Sequence, residues 1–208
     1  MSEILLHPTY FPSIVQMVAA VHAQKVIFEV QDNYQKQTYR NRAHIAHANG
    51  RLMLNVPIRR SGDGSRQKTR DVVPERNFPW QQEHWKSIQI AYRTSPFFEY
   101  YEDELQPLFS EPVESLLQHN LRIYKLLCEL LGWNIAFETT TEYQKEPSVT
   151  DLRYLVESKK EKKYDLDEYI QVHHGNHGFL ANLSVLDLLC NEGPNALTYL
   201  EAQEIKFN

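Results

Sequence analysis

The chain has little sulfur chemistry to offer. Only two cysteines, Cys128 and Cys190, stand among 208 residues, and both sit in apolar helical patterns. That excludes a disulfide framework and any zinc site built on paired C-x-x-C, and it fits a reducing cytoplasm. Glycine is scarce too, at seven. Neither G-x-x-x-x-G-K-[ST] nor G-x-G-x-x-G occurs, which removes the P-loop and dinucleotide fingerprints. No G-x-S-x-G elbow and no H-E-x-x-H is present, so neither a hydrolase nucleophile turn nor a zinc-protease helix is encoded. No apolar run approaches the roughly 20 residues that span a bilayer. The opening M-S-E-I-L-L lacks the basic region of a signal peptide. The expectation is a cytoplasmic protein with no transmembrane segment.

What is present is globular in character. Hydrophobic residues make up 42% and charged residues 24%, which argues against wholesale disorder. The length suits a single α/β domain over residues 1–208. The net charge of −5 hides an asymmetry. Between Gln35 and Arg76 lie ten Lys or Arg against three Asp or Glu, a local surplus of 10 − 3 = +7. A basic zone on an acidic chain points to an anionic small molecule rather than to duplex nucleic acid, which asks for a larger basic face.

The first thirty residues organise the rest. Ile4 to Leu6 form a short apolar strand, followed by a proline-bracketed turn at residues 7–12. Residues 13–23 read as a helix capped by Ser13, and residues 25–30 as a second strand. Strand, turn, helix and strand imply a right-handed crossover into a parallel sheet. Ligands in such sheets bind beyond the carboxyl ends of the strands. Those ends carry His7, Tyr10, Gln31, Asp32 and Asn33. Further along, alternation from Tyr39 and the Asn49-Gly50 turn predict a hairpin over residues 39–58. Residues 59–70 form a Gly/Ser-containing basic loop. Helices are expected at 80–92, from Ser95-Pro96, at 112–131 with Gly132 as terminator, at 151–160, at 182–190 and from Gly193-Pro194 to Leu200. Residues 133–139 and 164–172 read as strands. The fold class expected is α/β: a mainly parallel sheet with helices on both faces, a β-hairpin insertion and a helical C-terminal part.

Candidate chemistry gathers at the N-terminal crevice. His7 sits on a turn stiffened by Pro8 and Pro12, where an imidazole can serve as acid, base or donor, and Tyr10 is the second catalytic candidate. Of Tyr10 and Phe11, one is expected toward the core and one toward the site. Asp32, Asn33, Arg40, Asn41, Arg42, Lys68 and Arg70 are the ligand- and phosphate-binding candidates. Arg40 and Arg42 would share a face if their stretch is extended, and Lys68 and Arg70 would close over the same anion from the loop. His173, His174 and His177 are crowded together, but Gly175 breaks the helix that would present them, so no metal site is expected.

H-P-T-Y-F-P at residues 7–12, Y-R-N-R-A-H-I, Val56-Pro57, W-x-x-x-H-W-x-x-I-x-x-A-Y, P-F-F at 96–98 and F-L-A-N-L-S-V-L-D-L-L-C-N-E-G-P together resemble the WbqC-like family of bacterial proteins. The likeness runs from about residue 4 to 200. The chain departs at His7, where the family commonly carries glutamine, and at Cys190, where an aromatic is commoner. The resemblance implies a link to O-antigen and related surface-polysaccharide biosynthesis, with aminoacyl (glycyl) transfer to an amino sugar suggested for some members. The strand–turn–helix–strand start also looks like nucleotidylyltransferases and pantothenate synthetases, though their H-x-G-H signature is missing. Two functions follow. One is a transferase acting on a nucleotide-linked or adenylated substrate. The other is a non-catalytic ligand-binding or scaffold protein of a polysaccharide-assembly pathway. The expected partner is a nucleotide or nucleotide-sugar. The sequence specifies no cofactor and leaves a homodimer open.

Overall fold

The computed structural model describes residues 2–59, 62, 66–159 and 162–207. Ile4, Leu5 and Leu6 are buried together in β1 (Glu3–Leu6), the uninterrupted apolar run of a strand covered on both faces. The turn after it delivers the chain to α1 (Ile14–Val21), where Ser13 Oγ accepts from the Gln16 N–H at 3.3 Å. Cap and helix bury Ile14, Met17 and Val18, each worth about 1.5–3 kcal/mol of transfer free energy. β2 (Lys25–Phe28) then lies parallel to β1, with Ile4 opposite Val26 and Leu6 opposite Phe28.

The hairpin follows as β3 (Arg42–His47) and β4 (Gly50–Asn55). Ala48 and Asn49 are its loop residues, and Gly50 supplies the φ of +103° that closes it. Helices α2 (Trp80–Tyr92), α3 (Phe98–Leu105), α4 (Pro107–Ser110) and α5 (Leu116–Leu130) come next. Gly132, at φ +68°, ends the last of them. β5 (Phe137–Thr139) pairs parallel with β2, and β6 (Thr150–Asp151) pairs parallel with β1. The sheet order is β5-β2-β1-β6. After α6 (His174–His177), helices α7 (Val185–Glu192) and α8 (Ala196–Ala202) form the C-terminal part, and both pack on α1. One hydrophobic cluster runs from Ile4 to Leu200. The architecture is the expected α/β one: a parallel sheet with helices around it, an antiparallel hairpin and a helical C-terminal part.

Three local expectations need correction. Residues 151–160 hold no α-helix among those described: β6 is followed by a 3-10 turn, Arg153–Val156. Leu152, Leu155 and Val156 have helical spacing, but they point inward from a segment tied to the sheet edge by Leu152 N–H to the Leu5 carbonyl, 3.0 Å. Residues 164–172 form no strand. Their polar groups are satisfied by side chains instead, as where Asp167 N–H meets Gln203 Oε1 at 2.9 Å and Val172 N–H meets Asn191 Oδ1 at 3.1 Å. Ser95 does not cap α3, since its hydroxyl donates back to the Tyr92 carbonyl at 2.7 Å and the helix starts at Phe98.

Candidate functional site

Residues just beyond the carboxyl ends of all four parallel strands converge. His7 follows β1, residues 32–35 follow β2, Tyr143 follows β5 and Arg153 follows β6. With Arg40, Arg66, Lys68, Tyr154, Val156 and Glu157 they line a cavity of about 620 Å³. This is where an open parallel sheet places its ligand crevice, outside the carboxyl ends of its strands.

Its floor is a buried charge cluster. Arg40 is only 1% exposed. Its Nη2 donates to Asp32 Oδ2 at 2.7 Å and to His7 Nε2 at 2.8 Å, while Nη1 reaches Thr38 Oγ1 at 3.4 Å and Nε has no partner among the described residues. A guanidinium so deep survives because the Asp32 carboxylate is beside it. Accepting from Arg40 fixes His7 as the neutral tautomer with its proton on Nδ1. Burial pushes the His7 pKa well below the usual 6.5; the Arg40 and Arg153 charges add to this, and the Glu29 backbone opposes it. At neutral pH His7 therefore holds Arg40 and is not free to accept a proton at Nε2.

Asp32 also stitches down the basic segment. Its Oδ1 accepts from Thr69 Oγ1 at 2.5 Å and its carbonyl from Thr69 N–H at 3.0 Å, while Tyr34 N–H bonds the Gln67 carbonyl at 2.9 Å. Arg66 and Lys68 are thereby brought to the cavity wall, both exposed and neither in an ion pair among the described residues. Among the described residues, Lys68 Nζ reaches only the Gln31 carbonyl, at 3.4 Å. Arg153, also on the cavity lining, is clamped by Asp151 through Nε at 2.8 Å and Nη2 at 2.6 Å, and by the Gln144 and Lys145 carbonyls at 2.9 and 3.1 Å. Its guanidinium lies 5.3 Å over the Tyr143 ring. Behind it, the fully buried Glu29 places Oε2 at 3.6 Å from Arg153 Nη1, while Oε1 accepts from Gln31 N–H and Thr140 Oγ1 at 2.7 and 2.9 Å.

The sequence pattern of the WbqC-like protein family matches residues 7–176, a stretch containing every residue that lines the cavity. The chain belongs to the WbqC-like family. It is also similar to a protein of Mycobacterium tuberculosis (strain ATCC 25618 / H37Rv), "Uncharacterized protein Rv1507c". The two are 27% identical, over 80% of this chain and 83% of that one. No solved structure matches it.

Of the residues predicted for the site, this WbqC-like chain gathers His7, Asp32, Asn33, Arg40 and Lys68 around one cavity. The others lie elsewhere. Tyr10 and Phe11 are both in the core rather than split between core and site. The Tyr10 hydroxyl meets His84 Nδ1 at 2.8 Å, and its ring lies 6.0 Å from that of His119. Arg40 and Arg42 do not share a face, because Arg40 precedes β3 in a turn while Arg42 begins the strand and donates to Asn55 Oδ1 at 3.1 Å. Asn41 holds the Val56 carbonyl through Nδ2 at 2.9 Å. Arg70 bonds Gln31 Oε1 at 3.1 Å, beside the cavity rather than on its wall. Part of the basic loop expected as a clamp, residues 60, 61 and 63–65, lies outside the described residues. His177 bonds the His47 carbonyl through Nε2 at 3.0 Å, and α6 carries His174 and His177 despite Gly175.

Sequence reasoning missed Tyr34, Tyr143, Arg153, Tyr154 and Glu157, and the buried Glu29. Assigning 151–160 to a helix hid Arg153, since a solvated helical arginine attracts no attention. The D-L-R at 151–153 held the available signal: a carboxylate two residues before an arginine.

Proposed function

We propose that the cavity binds a phosphorylated small molecule of the nucleotide or nucleotide-sugar class. We read the chain as a transferase of surface-polysaccharide biosynthesis that acts on that molecule. The observation that carries this reading is the pair Arg66 and Lys68, cations brought to the cavity wall without carboxylate partners among the described residues. Uncompensated cations at the mouth of a crevice attract and hold phosphate oxygens. Arg40 and Arg153 are already paired with Asp32 and Asp151, so the free positive charge of the cavity wall comes from Arg66 and Lys68.

Group transfer from such a donor breaks a bond to phosphate and releases the proton of the attacking amine or hydroxyl, which a base or water must take. Whether an acyl or glycosyl carbon is attacked, the bond that breaks leaves its electron pair on a phosphate oxygen. Arg66 and Lys68 are the groups available to take up that charge. Aminoacyl transfer to an amino sugar is one reaction of this form, and it enters from the family resemblance. One observation favours the rival reading of a non-catalytic binding protein. Tyr10 is sealed in the core and His7 Nε2 is occupied by Arg40, so the two predicted catalytic side chains are not poised for proton transfer.

A thermal-shift screen of nucleotides and nucleotide-sugars tests the binding. A ligand at a hundredfold excess over Kd adds about 2.7 kcal/mol to stability. The expected result is a raised Tm with at least one of them, and none with the corresponding nucleosides. Incubation with nucleotide-sugar, glycine and ATP then separates the two readings: product formation supports the transferase, and tight binding without turnover supports the scaffold.

A further inference from the structure

Besides Arg66 and Lys68, the cavity lining holds an aromatic–cation pair of different chemistry. Tyr143 lines the cavity and is 52% exposed. The guanidinium of Arg153 lies over the ring, 5.3 Å from its centroid. Arg153 is itself held by Asp151 and by the Gln144 and Lys145 carbonyls, the two residues that follow Tyr143 in the chain. Its side chain is 11% exposed. A ring backed by an immobilised cation, and packed against no other ring among the described residues, is pre-organised to stack a further planar group.

We infer that Tyr143, backed by Arg153, is the stacking platform for the nucleobase of the ligand. The inference rests on the anion-binding reading above and narrows it. The substrate is then a nucleotide whose base lies on Tyr143 and whose phosphates lie on Arg66 and Lys68, rather than a phosphorylated sugar alone. Stacking tolerates any base, because every base has a π face, so Tyr143 contributes affinity for nucleotides as a class. A tyrosine that merely shields Arg153 from water would make no such distinction between ligands.

Isothermal titration of inorganic pyrophosphate, ADP and UDP into wild type, Tyr143→Ala and Tyr143→Phe tests this. In wild type at least one nucleotide is expected to bind tenfold or more tighter than pyrophosphate, the lower part of the range that base–aromatic stacking gives. Tyr143→Ala is expected to remove most of that margin and leave pyrophosphate binding within twofold, whereas Tyr143→Phe keeps it. A margin that survives in Tyr143→Ala, or an equal loss for pyrophosphate, overturns the platform. Pyrophosphate binding with no nucleotide tighter than it overturns the platform and leaves the anion site standing. Binding of none of the three by wild type removes the anion site, and the platform with it.

Discussion

Arg40 Nη2 lies 2.8 Å from His7 Nε2, so the histidine expected to do chemistry serves as an acceptor for a buried arginine. The same nitrogen donates to Asp32 Oδ2 at 2.7 Å. Removing the guanidinium leaves the Asp32 carboxylate buried with its charge partner gone. Breaking one side of a buried pair costs about 3–5 kcal/mol. Arg40→Ala is therefore expected to lower the urea midpoint sharply. Arg42→Ala, which gives up one bond to Asn55 at the hairpin edge, should cost no more than about 1.5 kcal/mol. Equal losses in the two variants would refute the distinction drawn between floor and edge.

Arg66→Ala and Lys68→Ala should behave in the opposite way. Both side chains are exposed, so the empty protein should keep its stability within about 0.5 kcal/mol. Binding of a phosphorylated ligand should weaken by about 1.5–3 kcal/mol for each charge-assisted bond lost. What affinity remains should fall as salt rises, since exposed charges are screened over about 10 Å at 0.1 M. Calorimetry at two ionic strengths reads both effects. Unchanged affinity in both variants would leave only a basic surface.

The parts of this architecture legible in the sequence were those fixed by local chemistry. Ser13, Gly50 and Gly132 each mark a boundary because a cap or a positive φ restricts the residue allowed there. The crevice was locatable for a topological reason, since β1 and β2 had to be parallel and His7 and Asp32 had to follow them. What failed was long-range. Nothing local says that Arg40 is drawn inward by Asp32, eight residues earlier, nor that Tyr10 finds His84 across 74 positions. The basic count over residues 35–76 also merged cations of different kinds. Arg40 is buried, Arg42 is at a strand start, and Arg66 and Lys68 are at the cavity wall.

Gly193 offers a test of packing between α3 and α7. It takes φ +52° and ψ −121°, a region essentially reserved for glycine, and a Cβ there would run into the Phe97 ring. Gly132 also has a positive φ, but open space surrounds it. Gly132→Ala should therefore cost only its backbone term, about 1–2 kcal/mol. Gly193→Ala should cost more than that backbone term, since its φ/ψ pair lies outside the left-handed helical region, with a further 1–3 kcal/mol or so of overpacking. Adding Phe97→Ala should relieve part of the Gly193→Ala loss in a double-mutant cycle, and no coupling between the two would disprove the clash.

The buried histidines make stability depend on pH with a definite sign. Burial lowers the pKa of His84 to about 4, opposed by the Asn55 backbone. Burial also lowers His119 to about 4, helped by the Arg122 charge. His44 falls to about 4 from burial and its arginine neighbours Arg51 and Arg42, and His7 is lowered in the same direction. A histidine that is neutral when folded but titrates near 6.5 when unfolded gives the unfolded state more protons at acid pH. Stability then rises with pH, so its contribution is present above about 6.5 and is lost as pH falls toward the folded value of about 4. For His84 and His119 the loss amounts to about 3 kcal/mol apiece over that window. Asp187 acts in the opposite sense, because burial raises its pKa, so acidification relieves a buried charge there. One carboxyl does not offset four imidazoles. Urea midpoints measured at pH 7.5, 6.0 and 5.0 should fall steadily. His119→Phe, which keeps a ring beside Tyr10, should reduce the slope below pH 6 by about 1.4 kcal/mol per pH unit, one proton's worth. A midpoint that stays flat from pH 7.5 to 5.0 would mean that these imidazoles reach water in the folded protein.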